Sequence, residues 1–194
     1  MARGDIVLFL DGDCCPAPRW AASHIEALDR STSVVTVGHR VFLDAAGLTP
    51  DRVRELQGDL SGLPRVASSS NYEMVEDRRL PELLHLRSHP APYNCCHGCN
   101  LGVHRQSFLE VGGFDAVFDG SWGYEDIELG HRLWRRGAEL HYVEEGMVFH
   151  QEGAGDGKQR RIDRTRNYRI ACERMPGFEE FRMRQARPYY AQVT

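Results

Sequence analysis

The chain has 194 residues, 41% of them apolar and 27% charged, which is enough for one buried core in a soluble globular domain. A formal net charge of −4 leaves no electrostatic footprint for nucleic acid. No apolar run approaches membrane-spanning length and no signal peptide opens the chain, so the expected location is the cytosol.

Asp5-Ile6-Val7-Leu8-Phe9-Leu10 is a near-continuous apolar run that ends in Asp11-Gly12-Asp13. Such a run predicts a strand buried on both faces, in the parallel or mixed sheet of an α/β protein. Ligands of those folds sit beyond the carboxyl ends of strands. Two carboxylates one residue apart at that edge can hold Mg²⁺ or Mn²⁺ with a phosphate as co-ligand. A plain Asp-Gly turn is the alternative. Pro16 to Arg30 then predicts a helix with Trp20, Ala21, Ile25 and Leu28 on its apolar face, and Ser33 to Leu43 predicts a strand. From Asp44 to Pro92 the pattern weakens. Asp51–Leu60 and Asn71–Leu84 read as short helices around a Gly-, Pro- and Ser-rich loop at Leu60–Ser70, suited to a lid or an acceptor-facing insertion.

The six cysteines stand at 14, 15, 95, 96, 99 and 172. Adjacent pairs suit reduced thiols better than a secreted disulfide framework. Asn94-Cys95-Cys96-His97-Gly98-Cys99-Asn100 invites a zinc reading, but structural zinc draws paired ligands from two places in a chain and no second C-x-x-C exists. Small buried thiols near the site are the expectation. Gly98 to Arg105 reads as a turn into a strand, and Gln106–Val111 as a short helix ended by Gly112-Gly113-Phe114-Asp115.

Gly120-Ser121-Trp122-Gly123 is loop chemistry, and the stretch from Tyr124 to Gly137 predicts a helix closed by that glycine. At ~100° per residue, Ile127, Leu129, Gly130, Leu133 and Trp134 fall on one side, and Glu125, Glu128, Arg132, Arg135 and Arg136 on the other. Asp126 falls inside the apolar arc, in the first turn, a setting for a working acid or base. The plain alternative is that Glu125 and Asp126 only complement the helix dipole. Ala138–Val143 and Gly146–His150 follow as strands, with His150 at a strand end as a third metal-ligand candidate. The segment Lys158–Arg169 is rich in arginine, either a solvated helix face or a phosphate-facing surface.

Together these residues carry a resemblance. Phe9-Leu10-Asp11-Gly12-Asp13 resembles the D-x-D motif of glycosyltransferase family 2. Gly112-Gly113-Phe114-Asp115, Trp122-Gly123-Tyr124-Glu125-Asp126, Arg132-Leu133-Trp134 and Val148-Phe149-His150 resemble, in order and spacing, the C-terminal catalytic half of galactosyl- and N-acetylgalactosaminyltransferases. The resemblance spans residues 2 to about 152. It implies a GT-A-type α/β fold, a mixed sheet flanked by helices, with a catalytic domain at 1–155 and a basic helical tail at 156–194. It implies a nucleotide-sugar donor, UDP-linked in most of the family, a carbohydrate acceptor and Mn²⁺ or Mg²⁺. On the matched positions Asp11, Asp13 and His150 are the implied metal ligands. Asp126 is the implied base with Glu125 beside it, and Asp11, Trp122, Gly123 and Asn100 are the implied substrate contacts. In the family a first βαβ unit precedes a segment like Ala2-Arg3-Gly4-Asp5. The chain is therefore expected to lack that unit and to present an open sheet edge to a second copy or a partner chain. A phosphatase of the haloacid dehalogenase type also uses D-x-D after a strand, but Cys14-Cys15-Pro16 lack the threonine it carries there. A non-catalytic sugar- or nucleotide-binding module is the other rival.

Overall fold

A computed structural model describes residues 3–46, 48–68, 73–152 and 157–183. Among these residues seven strands form two sheets. The first runs β1(Ile6–Leu10)–β5(Asn100–His104)–β3(Val34–Val37)–β6(Glu139–Tyr142), and the second runs β2(Cys14–Pro16)–β7(Val148–Glu152)–β4(Arg40–Asp44). Parallel pairing joins β3 to β6 and β4 to β7, and antiparallel pairing joins β1 and β3 to β5 and β2 to β7. The sheets are therefore mixed, as the sequence implies. The α-helices among the described residues are α1(Trp20–Leu28), α2(Pro50–Glu55), α3(Leu80–Leu83), α4(Arg105–Glu110), α5(Glu125–Arg135) and α6(Gly157–Arg174). Among the described residues, no helix is long and apolar enough to cross a membrane.

Among the described residues three short connections carry the chain from the first sheet to the second: β1 to β2, β3 to β4 and β6 to β7. At the first, β1 ends and Asp11-Gly12-Asp13 turns the chain into β2, with Cys14 N–H donating to Asp11 O at 3.0 Å. The D-x-D is thus a bend between sheets as well as a strand end. At the second corner the predicted strand Ser33–Leu43 breaks in two at Gly38, which separates β3 from β4. A Cβ on Gly38 would collide with Gly146 O and with the Asn100 amide, so the crossing is open only to glycine.

Three expectations need correction. β1 is an outer strand, half-buried at Ile6–Phe9 and exposed at Leu10, because β5 is its single hydrogen-bonded neighbour among the described residues. Helix α1 buries Ser23, His24 and Leu28 and leaves Ile25 exposed. Its inward face is polar because His24 meets Thr36 Oγ1 at 2.7 Å and Asn100 Oδ1 at 3.0 Å, bonds that make burial of an imidazole tolerable. The helix predicted over Asn71–Leu84 shrinks to the four residues of α3, and Asn71 itself lies outside the described residues.

The main core lies between the first sheet and α5, where Val35, Val37, Leu101, Val103, Leu129, Leu133 and Leu140 meet Cys95 and Cys96. A second cluster joins α5 to the C-terminal segment through Tyr93, Phe118, Tyr124, Ile127, Ala171, Met175 and Phe178. The basic segment after residue 156 is therefore anchored by its own apolar face. Residues 184–194 lie outside the described residues.

Candidate active site

The site forms where the first corner meets the N-terminus of α5. Its outer wall starts at Gly123 and Tyr124, both left-handed, with φ of 97° and 74°. Left-handed backbone is unfavourable for a tyrosine, so this conformation must be held from outside. The Tyr124 ring is buried against Tyr168 and Phe178, and Asn167 of α6 donates its side-chain amide to Ser121 O and, at 2.9 Å, to Gly123 O. α6 thus clamps the Trp-Gly-Tyr turn from which α5 starts. At the other end of α5, Arg132 holds Glu128 at 2.7 Å and donates to Val111 O and Gly113 O. This bond set ties the Gly-Gly-Phe-Asp turn to the Arg-Leu-Trp segment. Glu128 is buried and its partner Arg132 half-buried, although helical periodicity assigns both residues to the solvent side. Gly130 sets the depth of α5, since a Cβ there would lie 2.8 Å from Cys96 Cβ.

A cavity of about 450 Å³ is bounded by the corner residues Asp11, Gly12 and Asp13, by Gly98 and Cys99, by Trp122 to Ile127, and by His150. The structure thus brings Asp11, Asp13, Trp122, Gly123, Glu125, Asp126 and His150 to one place. Asn100 does not line it. Asn100 is fully buried, donates to Gly146 O and His39 O, and accepts from Trp20 Nε1 and His24 Nε2. Its side chain is committed to joining α1 to both sheets.

The antiparallel register of β2 and β7 pairs Cys14 with His150, which draws Asp13 Oδ2 to 3.6 Å from His150 Nε2. His150 stands in the middle of β7 rather than at a strand end. Burial pushes the Asp11 carboxyl up, and the nearby Asp13 adds to that, so an added positive charge would relieve both. Carboxylates and an imidazole at this spacing fit a divalent cation such as Mn²⁺ or Mg²⁺. Among the described residues the tightest donor group is Asp13, Cys14 and His150, and Asp11 faces the same cavity from the other side of the turn.

The acidic pair sits across the cavity. Asp126 accepts from Gly98 N–H at 2.9 Å and from its neighbour Ile127 N–H at 2.7 Å, which fixes both carboxylate oxygens. Its pKa is raised, chiefly by burial. Glu125 is pushed up to about 7 by burial and by the charge of Asp126. Glu125 Oε2 is buried and has no hydrogen-bond partner among the described residues.

Five arginines complete the wall: Arg40, Arg78, Arg160, Arg164 and Arg182. Of these, the basic-segment reading covers Arg160 and Arg164. Arg160 lies over the exposed Trp122 ring, 5.7 Å from its centroid, a cation–π contact. Arg161 and Arg169 of the same segment face solvent. Arg40, Arg78 and Arg182 escape sequence reasoning, since no local pattern marks them and only the fold carries them to the cavity. His97 stands out in the sequence only within the Cys/His cluster weighed for zinc. His97 is held well below its ordinary pKa by burial and by Arg79, Arg40 and Arg78, so it is neutral. Beneath the cavity lies the buried ion cluster of Asp77, Arg79 and Arg40.

A model of glycosyl transferase family 2 matches residues 1–112. The chain belongs to that family. A second model, the N-terminal domain of galactosyltransferase, matches residues 83–152. Chondroitin synthase from Pasteurella multocida (strain Pm70) is 28% identical over 188 residues, covering 90% of this chain and 19% of that protein. Chondroitin synthase from Escherichia coli is 28% identical, covering 89% of this chain and 26% of the other. Human N-acetylgalactosaminyltransferase 7 is 25% identical, covering 76% and 22%. The crystal structure of GalNAc-T7 with UDP, GalNAc and Mn²⁺ superposes with a TM-score of 0.50 at 20% identity, covering 77% of this chain and 28% of that one, and shows the shared GT-A fold. The chain spans about a fifth to a quarter of the length of the curated relatives it matches.

Proposed function

We propose that this family 2 chain transfers a sugar from a UDP-linked donor to a carbohydrate hydroxyl by metal-assisted single displacement. The observation that carries this reading is one cavity shared by the D-x-D corner, His150, the Glu125–Asp126 pair and five arginines. Asp11, Asp13 and His150 would hold Mn²⁺ or Mg²⁺, which when bound neutralises the departing diphosphate as a Lewis acid. The guanidiniums of Arg40, Arg160 and Arg164 match phosphate oxygens in the bidentate manner arginine favours. Trp122 offers its exposed ring as a platform for the acceptor sugar, with Gly123 leaving the backbone accessible beside it. Asp126, oriented by Gly98 and Ile127, takes the proton from the attacking hydroxyl, while Glu125 orients that hydroxyl.

Calorimetry with Mn²⁺ and UDP, followed by UDP release from UDP-GalNAc and UDP-GlcNAc with and without glycan acceptors, tests this. Wild type should bind Mn²⁺ weakly alone and more tightly with UDP, and Asp13→Ala should bind at least about tenfold more weakly. Equal binding by the two proteins would remove the D-x-D from the metal site. Binding without turnover would favour the module reading.

The edge of β1 supports a further expectation. Its residues Ile6–Phe9 are half-buried and β5 is its only strand partner among those described, so its other side is free to add a strand. Light scattering at rising concentration should show a dimer, or a complex when a partner chain is supplied. A monomer with a cooperative melt at high concentration would count against it.

A further inference from the structure

The residue after the D-x-D corner is a cysteine whose position in the fold is unusual. Cys14 opens β2 and is the direct cross-strand partner of His150 in β7, so both side chains leave the same face of that pair. Asp13 precedes it in the turn. One donor atom from each of Asp13, Cys14 and His150 lies within 4.8 Å of the other two. Cys14 Sγ stands 3.7 Å from Asp13 Oδ1, and His150 Nε2 stands 3.6 Å from Asp13 Oδ2. The next cysteine, Cys15, points the other way and packs with Val41, Leu43 and Phe149. Cys14, and not Cys15, therefore stands beside the two cation ligands, with the Cys99 thiol hydrogen-bonded to it and lining the same cavity.

We propose that Asp13, Cys14 and His150 form a mixed oxygen–sulfur–nitrogen site that takes Zn²⁺ in preference to Mn²⁺ and Mg²⁺, so that thiophilic cations compete for the donor's metal position. The proposal rests on the reading of Asp13 and His150 as cation ligands, though not on sugar transfer. Donor chemistry decides the preference. Mg²⁺ and Mn²⁺ favour carboxylate, carbonyl and water oxygens and gain little from sulfur. Zn²⁺ is borderline-soft, binds thiolate, imidazole and carboxylate together, and accepts three protein ligands with an open fourth position. It also stands above Mn²⁺ in affinity for a given nitrogen, oxygen and sulfur site. On binding, the Cys14 S–H bond breaks, its proton passes to water, and the electron pair left on sulfur forms the metal–sulfur bond. No oxidation state changes. The open fourth position is where water or a donor phosphate oxygen would sit.

The full chain, free of nucleotide, is titrated with Cd²⁺ as a thiophilic probe, and the ultraviolet charge-transfer absorption of a cadmium–thiolate bond is followed. Zn²⁺ and Mg²⁺ are then added as competitors. The expected result is saturation at one equivalent, displacement by Zn²⁺ and no displacement by a hundredfold excess of Mg²⁺. Cys14→Ser should abolish the absorption and Cys15→Ser should keep it. His150→Gln, which leaves the thiol in place, should weaken Cd²⁺ binding at least about tenfold. Absorption that survives Cys14→Ser, Cd²⁺ affinity unchanged by His150→Gln, or no absorption in the wild type would each overturn the proposal. Mn²⁺ and UDP binding measured on the same proteins separates the two readings. Wild type that gives the cadmium band but no Mn²⁺-dependent UDP binding keeps this site and loses the donor-metal role.

Discussion

Replacing Asp77 with Ala is expected to cost about 3–5 kcal/mol of folding stability, because it strands a buried guanidinium. Asp77 and Arg79 are almost wholly buried. Arg79 meets Asp77 through Nη2 at 2.6 Å and Nε at 3.1 Å, and its remaining donors reach Cys95 O at 2.7 Å and Gly38 O at 3.3 Å. Asp77 also accepts the backbone N–H of Arg40 at 3.0 Å and pairs with the Arg40 side chain at 3.5 Å. One carboxylate therefore ties α3, the corner at Gly38 and the cysteine segment together under the cavity. Burial works against its ionised form, but Arg79 and Arg40 outweigh burial and hold its carboxyl well below the usual carboxylate range. A depressed folded pKa gives stability that is complete above the unfolded value of about 3.9 and is lost as pH falls below it. Asp77→Asn, which does not titrate there, should thus trail the wild type by most at neutral pH, with the gap closing as the pH falls below about 4. Urea unfolding at neutral and acid pH reads both effects. A Tm within about 2 °C of wild type for Asp77→Ala would show that the cluster contributes little, since a loss of this size should lower Tm by roughly 6–20 °C.

That cluster lies in a stretch whose sequence carries no local pattern. The D-x-D corner, the Trp-Gly-Tyr-Glu-Asp helix start and His150 are legible because each is a local pattern: an apolar run meeting carboxylates, a glycine-framed turn, and a strand with a titratable residue. The periodicity of α5 places Ile127, Leu129 and Leu133 inward, as the structure has them. It errs at Glu128 because a salt bridge to the half-buried Arg132, itself bound to backbone acceptors, makes the buried charge tolerable, and hydropathy has no means of registering a partner. The same cause hides His24, Thr36 and Asn100, a polar knot at the junction of α1 and both sheets. Asp77 and Arg79 stand in a stretch with no strong period. Their partners are supplied by residues 38, 40 and 95, which only the folded chain brings near. The basic segment is readable as charge, but its role in bracing Gly123 and Tyr124 depends on Asn167, a buried polar residue that no charge or hydropathy pattern singles out.

If the chain transfers sugar, alone or with a partner, Asp126→Asn should lower transfer by about 10²–10⁴-fold while leaving donor binding intact. The substitution keeps an acceptor oxygen for Gly98 N–H or Ile127 N–H but removes the group that can take a proton. Two carboxylates stand at this helix start, and their environments divide them. Asp126 is locked by two backbone donors, whereas Glu125 keeps one buried oxygen without a partner and is pushed up to about 7. The pair should titrate as a coupled unit, with transfer falling as pH drops through about 7 because protonation removes base capacity and changes the hydrogen bond offered to the acceptor. Asp126→Asn removes the like charge that helps raise Glu125, so any residual activity should show its acid limb at lower pH. Glu125→Gln should weaken acceptor use more than donor binding and should flatten the limb near neutrality. UDP release with and without acceptor, followed across pH for each variant, separates the roles. Near wild-type transfer by Asp126→Asn, together with the large loss appearing instead in Glu125→Gln, would move the base to Glu125. Asp126 would then be left to bind Gly98 and to support the N-terminus of α5, the lesser role that a carboxylate in the first turn of a helix can always fill.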